Sequence, residues 1–98
     1  MREGLRVVVA TETATEAREA FTAAAAHVAE GERVRRANGA EQITAANGPG
    51  WVKFARRGGL RGITADVLVV VGFLPDPAER AVIAASPIGH VIACVAAD

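Results

Sequence analysis

Three short runs dominated by aliphatic residues set the tightest limit on what this chain can fold into: Leu5 to Ala10, Val67 to Val71 and His90 to Val95. Each is short, valine-rich or otherwise apolar, and bounded by polar or turn-forming residues. Runs of that kind read as strands buried on both faces, the character of strands inside a parallel sheet.

The connections between them carry helical signals. Thr13 and Glu16 stand three residues apart at the head of an alanine-rich stretch, a spacing that predicts a capping box. Ala17, Phe21, Ala24, Ala25 and Val28 then fall at helical spacing, and Gly31 is the expected C-terminal cap. A second helix is predicted from Asp76 as N-cap, with Pro77 at the first helical position and Glu79 reaching back. Ala81, Val82 and Ala85 are expected to face the sheet, with Pro87 and Gly89 ending the helix. Strands alternating with helices predict an α/β fold with a mostly parallel sheet in two or three layers.

The segment from Glu32 to Arg57 follows a different pattern. Asn38-Gly39 and Asn47-Gly48 separate short segments whose apolar members are Val34, Ile43, Trp51, Val52 and Phe54. Asn-Gly supplies the positive φ angles of tight hairpins, so this segment predicts a small antiparallel meander at the sheet edge or over one face. Gly58, Gly59 and Gly62 predict a flexible loop after it.

Bulk properties narrow the function classes. The chain has 98 residues, the size of one domain. Eleven basic and eleven acidic residues cancel, so no overall field draws it to nucleic acid or an anionic membrane. The single cysteine, Cys94, excludes an internal disulfide. With no signal peptide expected at the N-terminus, the cytoplasm is the predicted compartment. The apolar runs fall far short of the roughly 20 residues of a membrane span.

A family resemblance is carried by an ordered series of segments. Arg6-Val7-Val8-Val9-Ala10-Thr11 followed by Thr15 to Phe21 comes first. Arg33 to Gly39, Ile43, Asn47-Gly48 and Val52-Lys53-Phe54 come second, and Arg56 to Val70, with Thr64-Ala65-Asp66, third. In this order they resemble the middle of the ATPase domain of phage terminase large subunits, the motor that pumps DNA into capsids. The resemblance implies part of a P-loop ATPase core, with residues 1–98 forming one truncated domain.

Two departures from the family shape the functional expectation. In the family the strand after Thr-Ala-Asp ends in adjacent Asp and Glu, which hold magnesium and activate the attacking water. Val71 and Gly72 match those positions here. Valine offers no oxygen to a hard cation, and glycine no base. The phosphate cradle ending in Gly-Lys-Ser/Thr is also missing, and the only lysine, Lys53, falls in the meander. No ATPase activity, cofactor or metal is therefore expected.

The remaining candidates are local. Arg56, Arg57 and Arg61 among glycines read either as a phosphate-holding loop or as a solvated one. Arg33, Arg35 and Arg36 form a second basic cluster, and the two clusters together suggest contact with a DNA backbone. Asp66 reads as a structural contact of its loop or as a cation ligand. Trp51 reads as filler between meander and sheet or as a base-stacking platform. His27, His90, Cys94 and Ser86 show no metal-ligand or nucleophile spacing. The expected function is a non-catalytic, phage- or prophage-derived protein acting through protein contacts, with homodimerisation foremost and modulation of a motor or host protein beside it. A small nucleic-acid-binding module is the alternative.

Overall fold

The computed structural model describes residues 4–27, 31–35, 41–45, 50–60 and 63–94. In chain order the elements are β1 (Arg6–Thr11), α1 (Ala14–Ala25), β2 (Arg33–Arg35), β3 (Gln42–Thr44), β4 (Trp51–Arg56), β5 (Val67–Val71), α2 (Pro77–Arg80) and β6 (His90–Cys94). Single 3₁₀ turns follow β4 at Arg57–Gly59 and α2 at Ala81–Ile83.

All six strands form one sheet in the order β2-β3-β4-β1-β5-β6. β1 lies between β4 and β5 and is parallel to both, and β6 extends the parallel run beyond β5. β2, β3 and β4 pair antiparallel, so the meander continues the sheet to its edge. The α/β class and the mostly parallel sheet follow the sequence. β4 has a double role that the sequence pattern hides, closing the meander and joining the parallel core.

The strand period sorts side chains onto two faces. On one, Val8 and Ala10 of β1 and Leu68 and Val70 of β5 are fully buried against Leu60, Phe73 and Val82. On the other, Val9, Val34, Ile43, Val52 and Phe54 meet Phe21 of α1. The Phe21 and Phe54 rings pack edge to face, 5.6 Å apart at 70°. Such a pair adds about 1 kcal/mol beyond its buried area.

α1 begins where its capping box predicts. Glu16 N–H donates to Thr13 Oγ1 at 3.2 Å, and Thr13 N–H donates to Glu16 Oε1 at 3.1 Å. The helix is shorter than expected, ending at Ala25 and not running to Gly31. His27 N–H bonds back to Ala24 O at 3.0 Å, an i→i+3 contact that tightens the last turn. Gly31 takes a left-handed φ of 88° in the approach to β2. Val28 lies outside the described residues.

α2 also starts as predicted, with Asp76 N–H donating to Glu79 Oε1 and Glu79 N–H to Asp76 Oδ1. It makes one turn before tightening into the 3₁₀ turn. The tighter pitch puts Val82 alone into the core and leaves Ala81 and Ala85 exposed, against the expectation that all three face the sheet. The Gly58-Gly59 segment is a 3₁₀ turn, not an irregular loop. Asn38-Gly39, Asn47-Gly48 and Gly62 lie outside the described residues. No helix among those described is long and apolar enough to cross a membrane.

Candidate functional site

In a parallel sheet the carboxyl ends of the strands are the place where open α/β domains bind ligands. Here that edge is formed by Thr11-Glu12 after β1, Arg57 after β4 and Val71-Gly72 after β5. Its centre is Arg57. The guanidinium donates to Glu12 Oε1 at 3.2 Å and pairs with Glu79 at 3.6 Å and Asp76 at 4.0 Å. It also covers the ring of buried Phe73 at 4.4 Å. A single cation from the protein itself thus offsets part of the charge of the three carboxylates at this edge.

Gly72 has φ of 88°, a backbone conformation that L side chains rarely adopt. Any side chain placed there, a glutamate included, meets backbone strain before it meets a ligand. Val71 beside it is 37% exposed and supplies only methyl groups. Among the described residues no three His, Cys, Asp or Glu side chains cluster as a cation site.

The opposite, amino end of the strands is organised by Asp66, just before β5. Its carboxylate accepts from Arg6 N–H at 3.0 Å, Arg6 Nε at 3.3 Å, Arg6 Nη2 at 3.1 Å and Ser86 Oγ at 2.6 Å. Ser86 Oγ in turn accepts from Ile88 and Gly89 N–H. These bonds tie the head of β1, the head of β5 and the approach to β6 together. The Arg6 side-chain bonds, followed by the Ser86 hydroxyl and the Arg6 backbone N–H, hold the Asp66 carboxyl well below the usual carboxylate range. The structural reading of Asp66 is therefore the one its partners support. Ser86, which no sequence pattern singled out as a functional residue, is the third member of this cluster.

Of the predicted basic clusters, Arg33 and Arg35 fall on the face of the sheet opposite Arg56. Arg33 and Arg35 sit exposed on edge strand β2, on the face away from α1. Arg56 follows Phe54 by two residues and shares its face, lining a cleft of about 440 Å³ with Ala14, Ala17, Arg18 and Glu41. Arg57 is held by its carboxylates. Arg36 and Arg61 lie outside the described residues. Trp51 packs partly buried against the core cluster, as filler would, with Lys53 Nζ 4.6 Å over its ring.

A feature missed in the sequence lies on the helix-side face. α1 has its main contacts with β4 and β1. α2 and its 3₁₀ turn lie on the other face, where Val82 meets Leu68 and Val70. Val69, Val71 and Ile92 therefore form an apolar strip on β5 and β6 that no helix among the described residues covers. Val71 is 37% and Ile92 42% exposed. The run from His90 was expected to be buried, but among the described residues β6 is the outer strand, beside the half of the sheet that lacks a helix.

No protein-family model matches the sequence, and a comparison with curated proteins finds no match. Solved structures do match. The large terminase from a thermophilic bacteriophage, in complex with ADP, superposes with a TM-score of 0.63 at 15% identity over 96% of this chain. A second structure of that terminase gives a TM-score of 0.60 at 18% identity over 96% of this chain. In both cases the chain spans about a quarter of the matched protein, 26% of its length. In fold, this chain is a terminase-like α/β unit, with six strands among its described residues in one mostly parallel sheet that includes the meander, corresponding to a segment of a phage large terminase.

Proposed function

We infer that this chain is a non-catalytic, terminase-like module that acts by protein–protein contact, first with a second copy of itself. The observation that carries this reading is that, among the described residues, the strip of Val69, Val71 and Ile92 is uncovered and β6 is the outer strand. Parallel strands are normally covered on both faces. Among the described residues, four parallel strands with half a face open leave apolar surface in water and, along β6, a row of backbone donors and acceptors that no strand pairs. β6 runs His-Val-Ile-Ala-Cys, with no lysine, proline or acidic residue to keep a second strand away. A second β6 meets it without like-charge repulsion and brings a second apolar strip alongside.

The state of the catalytic edge supports the non-catalytic half of the reading. Val71 and Gly72 offer no cation ligand or base, and Arg57 occupies the carboxylates around them.

Light scattering across a protein concentration series tests the proposal. A dimer is expected for the wild type, and Ile92→Glu and Val71→Lys should give monomers with an unchanged circular dichroism spectrum. A wild type that stays strictly monomeric at the highest concentration overturns it.

A further inference from the structure

The face of the meander turned away from α1 carries a pattern that the self-association reading does not use. Strand register places Arg33, Thr44, Trp51 and Arg6 in one row across β2, β3, β4 and β1. The next row is Arg35, Gln42, Lys53 and Val8. Neither row holds an acidic residue. Arg6 is bound by Asp66. Among the described residues, Arg33, Arg35 and Lys53 have no ion-pair partner, and the only contact made by Lys53's charge is with the Trp51 ring.

The nearby carboxylate of Glu41 is largely buried and pairs with Arg18 of α1 at 3.9 Å. Glu41 also lines, with Arg35, Gln42, Lys53, Gly59 and Ile63, a cleft of about 180 Å³ at the border of the second row. Among the described residues, three cations without an ion-pair partner, the Gln42 amide and the Thr44 hydroxyl it donates to at 3.1 Å, and one indole thus share a two-row surface. This is a local concentration of positive charge on a chain whose net charge is zero.

We propose that this face binds the phosphodiester backbone of a single-stranded nucleic acid. Arg33 and Arg35 stand about 6.8 Å apart along β2, and Lys53 lies two strands away from Arg35, roughly 10 Å. A flexible strand can bend to bring successive phosphates onto such a triangle, whereas a stiff duplex presents them on a convex surface that a short sheet face cannot follow. Gln42 and Thr44 donate to phosphate oxygens between the cations. When a phosphate draws Lys53 away, the Trp51 ring is free to meet a base. Nothing on the face addresses the sugar, so DNA and RNA strands of equal length bind alike.

The test is titration of oligodeoxythymidylate and oligouridylate into the full chain, read by anisotropy and by the emission of Trp51, the only tryptophan. With three phosphates neutralised on a single strand, the salt slope is expected near 2, so a threefold rise in salt weakens binding about tenfold. Arg33→Gln with Arg35→Gln should flatten that slope. Lys53→Gln should weaken binding and remove the Trp51 emission change, while Arg35→Lys retains most of the affinity. Running the series again in the Ile92→Glu background separates this face from self-association. Absence of binding at low salt overturns the proposal. So does binding that survives the arginine and lysine changes, tighter binding of duplex DNA, or a strong preference for one sugar.

Discussion

The two halves of the helix-side sheet face are built from similar residues and end in different states. Over β4 and β1, Val9, Val52 and Phe54 lie under α1, and Phe21 closes the layer. Over β5 and β6, Val69 and Ile92 lie in register with Val9 and Phe54, Val71 follows on the same face in register with Thr11 and Arg56, and no helix among the described residues lies above them. The difference is not one of strand sequence, since valine and isoleucine serve both halves. It depends on where the chain sends its helix. α1 returns toward the meander, and the second helical segment crosses to the opposite face, so among the described residues β1 is covered on both faces whereas β5 and β6 are covered on one.

The largest expected contrast comes from truncating one residue in each half. Phe54→Ala removes a ring buried against Phe21 and Ile43, and should cost about 3–5 kcal/mol in urea unfolding. Ile92→Ala, at a position already 42% exposed, should cost under about 1 kcal/mol in dilute monomer. Equal losses at the two sites would break the comparison, because they would mean that Ile92 is as well packed as Phe54.

These two halves also mark what the sequence could reveal. The capping boxes at Thr13–Glu16 and Asp76–Glu79 were legible because both partners lie within one turn. β5 was legible to the residue, since Asp66 and Gly72 bracket an unbroken apolar run. Burial was not. A run of five apolar residues reads the same whether one face or both are covered, and coverage depends on helices placed elsewhere in the chain. The meander was visible in its Asn-Gly spacing, but the parallel pairing of β4 with β1 follows from tertiary register, which leaves no local trace.

The site residues divide along the same line. Arg56 and Arg57 stood out as neighbours in a glycine-rich segment. Their separate fates, one beside α1 and the other among Glu12, Asp76 and Glu79, arise from strand alternation and long-range contacts. The absence of Asp and Glu at Val71-Gly72 was plain from sequence. The left-handed backbone of Gly72 was not.

A smaller effect sharpens the comparison by testing what joins the halves at their amino ends. Asp66 links β1, in the covered half, to β5 and to the loop before β6, in the bare half. Asp66→Asn keeps the size and loses the charge-assisted bonds, and should cost on the order of 2 kcal/mol. The pH dependence has a definite sign. Because the folded carboxyl lies below its ordinary range, its stabilising contribution is complete above about pH 4 and declines as the pH falls toward the folded value. The Asn variant should lose that acid-side slope. If the slope persists unchanged, other carboxylates carry the acid sensitivity and the Asp66 cluster does not hold the halves together.

The smallest effect is expected at the carboxyl ends. Arg57 and its partners are largely solvent-accessible, apart from Glu79, and such pairs contribute little in water. Arg57→Ala should therefore cost no more than about 1 kcal/mol, most of it from uncovering Phe73, and that loss should change little with salt. The same variant probes whether the internal cation alone keeps the edge silent. Calorimetry with ATP and magnesium should detect no binding to the wild type and none to Arg57→Ala, because freeing the carboxylates restores neither a phosphate cradle nor side chains at positions 71 and 72 able to hold the metal. Magnesium-dependent ATP binding to the wild type would refute the non-catalytic reading. Binding only to the variant would show that Arg57 masks a competent edge, and would shift the functional weight from the bare half of the sheet to its carboxyl ends.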